Sequence, residues 1–247
     1  TNSMDSASVL AEQTTPGMPA SWMVSEHKKP TFSEDGSSLF FGTAPIPAPK
    51  DTTIYDFEVA ALDIWHYADD FNQPMQLKNL EREKKRNFDA VINLMNKNKL
   101  VQLADENVYS ININEEQEGK KSIGYGMGIA DKQYRIAQQW TGDIMKDIYT
   151  VNLQNGEKKL VKEALSGYPF LSPAGKYIVW YDRKERQYYS YDISNGTTVC
   201  VSDKLGVNIW DEKNDVPDAP RPYGLAGWLA NAKAALIYDD YDIWQVD

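Results

Sequence analysis

One stretch, "FLSPAGKYIVWYDRKERQYYSYDISNGTTVCVSD" at residues 170 to 203, reads as strand, charged turn, strand, glycine turn, strand. It has partners elsewhere in the chain. "FSEDGSSLFFG" (32 to 42), "LSPAGKYIVWYD" (171 to 182) and "WLANAKAALIYDD" (228 to 240) are each a turn followed by an apolar strand. Ser33 aligns with Ser172 and Gly36 with Gly175, where glycine can take positive φ in a tight turn. The third copy has Leu229 and Ala232 at those places, and "IADKQYRIAQQW" (129 to 140) reads as a fainter copy without the glycine.

The second half of the unit also repeats. "VINLMNKNKLVQLAD" (91 to 105), "YTVNLQNGEKKLVKE" (149 to 163) and "SYDISNGTTVCVSD" (190 to 203) each alternate, turn at an Asn-rich run and alternate again. The Asn-Gly pairs at 155 and 195 are strong hairpin signals. Asn93, Asn152, Asp192 and Asp247 take equivalent places, at intervals of 59, 40 and 55 residues.

Units of about 40 to 45 residues with four strands are the signature of β-propeller blades, because a small sheet buries both faces only when neighbours pack on it radially. The expected fold is therefore all-β, a partial β-propeller of about four WD-type blades. The expected blades are 28–105, 106–164, 165–204 and 205–247, the last lacking its outer strand, so that the chain would be a piece of a larger propeller. Residues 1–27 form an N-terminal segment in which "ASWMV" (20 to 24) could supply a ring-closing strand. Within the first blade, "NQPMQLKNLEREKKRNF" predicts an inserted helix near 74 to 85, with Pro74 in its first turn and Glu81 four residues before Lys85. Its charges read as a solvated face.

Fifteen Tyr and seven Trp argue for packed strands and against disorder. A net charge of -10 with no dense basic patch argues against nucleic acid, since such a surface repels phosphate. No apolar run approaches the roughly 20 residues of a membrane helix, and the N-terminus has no signal-peptide pattern. Cys200 is the single cysteine, which excludes an intrachain disulfide, and it reads as a small buried apolar side chain.

Two long passages carry a resemblance. "FGTAPIPAPKDTTIYDFEVAALDIWHYADDFNQPMQLKNLEREKKR" (41 to 86) and "NDVPDAPRPYGLAGWLANAKAALIYDDYDIWQVD" (214 to 247) resemble bacterial members of the prolyl oligopeptidase and dipeptidyl-peptidase family of serine peptidases, in their N-terminal propeller. "DIW" occurs in both, at 63 to 65 and 242 to 244, read as an aromatic-ended strand. The resemblance implies a propeller that precedes a C-terminal α/β-hydrolase domain, caps its active site and admits short peptides. It also implies export to the periplasm or cell surface. The family's nucleophile lies in G-x-S-x-G, which is absent here, and His27 and His66 lie in or before the first blade, outside the family's order. No catalytic residue is therefore assigned to this chain, and no cofactor or metal.

Other candidates read blandly. His66, beside Trp65 and near Asp69 and Asp70, is one histidine without a second ligand and reads as a strand-end residue. "YDDYD" (238 to 242) reads as a hairpin turn, and "DEKNDVPD" (211 to 218) as an acidic turn that lacks the glycine and distant glutamate of a calcium loop. "GYGMG" (124 to 128) lacks the Lys-Ser/Thr of a phosphate loop, and its glycines suit close strand approach. Tyr188 or Tyr191 could line a ligand surface, though sequence does not choose between them. A stand-alone propeller binding a protein or glycan fits the repeat equally well, and a sugar-cleaving propeller is a third reading that no carboxylate spacing singles out.

Overall fold

The computed structural model describes residues 7–49, 51–55, 57–60, 62–96, 98–113, 124–173 and 175–247. Alternating apolar runs become strands, and the strands pair in chain order into four antiparallel sheets. In the first sheet, β1 (Trp22–Val24) and β2 (Thr31–Phe32) pair with the two ends of β3 (Ser38–Pro45). An excursion through α1 (Gln73–Lys84) then leads to β4 (Phe88–Asn93) and β5 (Lys99–Gln102). The second sheet is β6 (Ser110–Asn112), β7 (Tyr125–Ala130), β8 (Lys146–Asn152) and β9 (Lys158–Leu165), with α2 (Arg135–Thr141) between β7 and β8. The third is β10 (Pro169–Leu171), β11 (Tyr177–Asp182), β12 (Gln187–Asp192) and β13 (Thr197–Cys200). The fourth has three strands, β14 (Leu225–Trp228), β15 (Ala235–Tyr238) and β16 (Ile243–Val246). The fold is all-β, a partial propeller of consecutive meander blades with a short inserted helix.

The period of two along each strand sends alternate side chains to opposite neighbours. On β11, Ile178 and Trp180 join Met127, Ile148 and Leu165 of the second sheet. Val179 and Tyr181, between and beyond them, join Ile237 and Val246 of the fourth. Phe40, Val91 and Val101 of the first sheet meet Val151 and Leu153 of the second. The second and third sheets thus spend both faces on their neighbours, and each large side chain buried there stabilises by about 1.5–3 kcal/mol. The free face of the first sheet, bearing Phe41, Ala90 and Ile92, is covered by Leu10, Ala11 and Met18 of the N-terminal segment. The segment read as able to close the ring pairs instead with β3, Trp22 against Pro45 and Val24 against Thr43.

The turns explain the repeat. Gly36 (φ 66°) and Gly175 (φ 58°) are left-handed, and each amide donates to the serine carbonyl three residues back at 2.8 Å. Ala232 takes the same place with φ 53°, and its amide donates to Leu229 at 3.0 Å. The turn thus persists although its glycine does not. At the second turn, Asn93, Asn152 and Asp192 each accept the amide two residues on. Gly156 and Gly196 there are left-handed, and Asn98 (φ 54°) does their work in the first sheet.

Two readings need correction. Most of the faint turn-and-strand copy at 129 to 140 is not strand: Lys132–Tyr134 form a 3-10 turn and Arg135–Thr141 form α2, closed by Gly142 at φ 77°. Arg, Ala and Gln are strong helix formers, and a glycine after the last turn is a helix stop. The first "DIW", residues 63 to 65, is not a strand: among the described residues no neighbouring strand offers it a ladder, whereas the second lies largely in β16. The inserted helix falls where expected, with Asn72 capping it by accepting the Met75 amide at 3.1 Å.

A left-handed backbone costs alanine about 1 kcal/mol relative to glycine. Ala232→Gly should therefore raise unfolding stability by about that amount in a urea titration, and Gly175→Ala should lower it similarly. Between the third and fourth sheets, the hydroxyls of Tyr181 and Tyr188 are buried without a hydrogen-bond partner among the described residues. Burial pushes Tyr181 up to about 12 and raises Tyr188 as well. Their neutral forms stabilise the fold fully below the unfolded tyrosine value of about 10. That stability is lost as pH rises from there through the folded values. Alkaline unfolding should weaken in Tyr188→Phe, with no loss of stability at pH 7, because the deleted hydroxyl is unsatisfied.

Candidate functional site

The inserted segment between β3 and β4 and the α2 connection of the second sheet meet, and two clefts lie on either side of their junction. Arg135, at the start of α2 and only 8% exposed, makes the junction. Its Nε donates to Asp131 Oδ1 at 2.8 Å, with Nη2 in ion-pair contact with the same oxygen at 2.8 Å, and Nη1 donates to Asp70 Oδ2 at 2.9 Å. The guanidinium lies 4.8 Å from the Phe71 ring centre and 5.4 Å from that of Tyr109. Burial opposes its charge, but the hydrogen bonds and charges of Asp70 and Asp131 outweigh burial and lift its pKa. Tyr109 donates to Asp131 Oδ2 at 2.9 Å, and burial followed by the Asp131 charge raises its own pKa.

A second anchor fixes the same connection. Asp147, buried on β8, accepts from Tyr134 Oη at 2.5 Å, Gln133 Nε2 at 2.6 Å and the Ala164 amide at 2.9 Å. The last bond sits where the β8 and β9 register shifts and Ala164 turns left-handed, φ 50°. Burial and Asp147 push Tyr134 up to about 12. Two carboxylate clusters thus hold α2 and the insert in one place.

The larger cleft, about 930 Å³, lies between α1, β1 and the start of α2, with Phe71, Leu80 and Phe88 as apolar lining and Glu26, Glu106 and Lys132 among its charges. Arg86, also on its wall, is engaged in a two-point pair with Glu83 at 2.6 and 2.7 Å. The smaller, about 250 Å³, lies between residues 65 to 73 and α2, and Trp65, His66, Tyr67, Asp69 and Trp140 line it. A third cleft of about 290 Å³ runs between the third and fourth sheets.

The structure distributes the sequence candidates as follows. His27 lines the larger cleft and His66 the smaller. His66 is exposed in a turn, with Nδ1 accepting the Ala68 amide at 3.2 Å, and is not at a strand end. Asp69 and Asp70 are parted: Asp70 binds Arg135 while Asp69 faces the smaller cleft. "YDDYD" spans the end of β15 and its turn to β16, Asp239 accepting the amides of Tyr241 and Asp242 and Trp244 Nε1, which lowers its pKa. In 211 to 218, Asp211 caps a turn and Asp218 accepts from Arg183 at 2.7 Å. Within "GYGMG", a side chain at Gly128 would lie 2.6 Å from Val108 Cγ1, so close packing accounts for that glycine. Tyr188 is wholly buried and Tyr191 nearly so, and neither lines the three clefts. Cys200 is half-buried on β13. Among the described residues, no three His, Cys, Asp or Glu side chains converge as metal ligands. Sequence reading missed Trp140 and Ile136, one helical turn apart on α2. The helix formers from 135 to 139 followed by Gly142 were the signal.

No protein-family model matches the chain, and no curated protein does. Among solved structures it is similar to TolB from Acinetobacter baumannii, at 15% identity and a TM-score of 0.30, over 70% of this chain and 32% of that one. The chain thus spans about a third of that neighbour. The blade architecture rests on the strand pairings and not on this likeness. No helix among the described residues is long and apolar enough to cross a membrane.

Arg135→Ala should leave Asp70 and Asp131 without their cation and free the insert, lowering stability by about 2–3 kcal/mol in chemical denaturation. Arg135→Lys should rescue little of this, because a lysine cannot repeat the fork and the stacking. On β9, Lys158 pairs with Asp105 at 2.9 Å. Burial of Asp105 works against ionisation, yet Lys158 and the amides of Val108 and Asn107 hold its pKa below the usual carboxylate value. Its contribution is present above the unfolded value of about 3.9 and is lost as pH falls through the folded one. Lys158→Met should therefore flatten the acid limb of a stability-against-pH curve in that window.

Proposed function

We propose that this chain is the non-catalytic propeller portion of a prolyl oligopeptidase-like serine peptidase, capping an α/β-hydrolase domain and gating the entry of short peptides. The resembling passages at 41 to 86 and 214 to 247 support the family, and export to the periplasm or surface goes with it. The observation that carries the reading is the stack of sheets that does not close on itself. Among the described residues the first and fourth sheets share no core cluster, and the face of β15 and β16 away from the third sheet exposes Tyr238 (40%) and Ile243 (55%). Such a face is what a following blade covers. A rigid wall of packed sheets suits a gate, since a size filter fails if its walls deform.

A binding propeller for a protein or glycan is the second reading, favoured by the exposed aromatics Trp65, Tyr67 and Trp140. The first reading expects no turnover of peptide substrates by the purified chain and no labelling by a serine-directed fluorophosphonate. It also expects size-limited peptide cleavage once the chain is joined to the hydrolase domain encoded with it. Turnover by the chain alone that disappears on mutation of one of its own serines sinks this reading, as does a source gene with no hydrolase in frame.

A further inference from the structure

We propose that the smaller cleft between the inserted segment and α2 binds an organic cation, a quaternary ammonium or a guanidinium headgroup, in an aromatic cage. Three aromatic side chains line it, Trp65, Tyr67 and Trp140, and they are 67%, 91% and 88% exposed. Exposed apolar rings of that size, gathered at one cleft, are costly to leave in water and mark a recognition site. Tryptophan and tyrosine faces attract cations through their quadrupoles, tryptophan most strongly.

The polar groups around the rings select the sign of the ligand's charge. No lysine or arginine lines the cleft, and its carboxylate is Asp69. Asp69 Oδ2 accepts from Gln76 Nε2 at 3.3 Å, and Oδ1 has no hydrogen-bond partner among the described residues. The amide side chains of the wall are committed elsewhere. Gln73 donates to Asp63 at 2.8 Å, Gln139 to the Asp70 carbonyl at 3.0 Å, and the Asn72 oxygen caps α1. These bonds hold the wall in place, and the three rings and Asp69 line the space between. His66 lies 4.7 Å from the Tyr67 ring centre, with its Nδ1 taken by the Ala68 amide. Arg135, the nearby buried cation, is neutralised by Asp70 and Asp131 on the other side of the junction. The chain's net charge of -10 adds a long-range attraction of the same sign. At about 250 Å³ the cleft suits a single headgroup better than a drug-sized ligand.

The test is a ligand-observed NMR titration of the 247-residue chain with choline, its neutral isostere 3,3-dimethylbutan-1-ol, an arginine-containing tripeptide and the same peptide with citrulline in place of arginine. The expected result is saturable binding of choline or the arginine peptide with Kd on the order of millimolar, and at least several-fold weaker binding of the neutral counterparts. Choline alone marks a free quaternary amine as the ligand class, and the arginine peptide alone marks a peptide side chain. Trp140→Ala and Asp69→Asn should each weaken binding several-fold, and Trp140→Phe should retain most of it. Both positions lie outside the core, so a folded variant is expected, and circular dichroism checks it. Equal binding of the neutral isostere, binding unaffected by Trp140→Ala, or no saturable binding of either cation overturns the proposal. This outcome does not depend on the peptidase reading, which stands or falls on the hydrolase domain.

Discussion

Face-to-face packing of consecutive sheets is the constraint on which the rest of this structure depends. A sheet of three or four short strands has two apolar faces and cannot hide either one alone. β11 shows the solution in a single strand: Ile178 and Trp180 pack toward the second sheet, Val179 and Tyr181 toward the fourth. Cross-strand pairing carries the division to β12, where Tyr189 sits opposite Trp180 and Tyr188 opposite Tyr181. The Trp180 and Tyr189 rings are 5.9 Å apart on one face and those of Tyr181 and Tyr188 5.2 Å apart on the other. A one-residue slip of this register would send each pair to the wrong neighbour, so the radial order and the strand register are one decision.

Because the sheets are rigid, variation is left to what connects them. The insert between β3 and β4 and the α2 connection between β7 and β8 each interrupt a sheet's meander with a helix, and both converge on Arg135. The buried guanidinium needs two carboxylates and two aromatic faces, and these come from the insert, the α2 connection and the strand-end loop at Tyr109. Fixing that junction also fixes the walls of the clefts on its two sides. The chemistry of the molecule thus gathers on its irregular segments, where side chains are free of the alternation the sheets impose.

Much of the blade pattern was legible because it is local. Asn152 and Asp192 before their turns, with Gly156 and Gly196 within them, encode a chain reversal through backbone geometry alone. The period of two around those turns encodes strands. Where local signals were ambiguous the reading went astray. "DIW" has the same letters at 63 and 242, yet only the second copy finds a neighbouring strand, and a strand's hydrogen bonds belong to its partner. The α2 segment follows a strand and a 3-10 turn and is seven residues long, too short for its periodicity to stand out. The smaller cleft was illegible for a related reason: Trp65 and Trp140 are 75 positions apart, and no spacing rule joins them.

The sequence by itself determined the all-β class, the turn positions, the inserted helix and the net charge of -10, since each follows from periodicity, backbone preference or composition. Tertiary structure alone decided which sheet Trp22–Val24 joins, that Asp69 and its neighbour Asp70 face different clefts, and that Trp65, Tyr67 and Trp140 share one. Those outcomes depend on how rigid blades pack side by side and where that packing lets the connections meet. Such contacts are long-range, and no local stretch of sequence contains both partners.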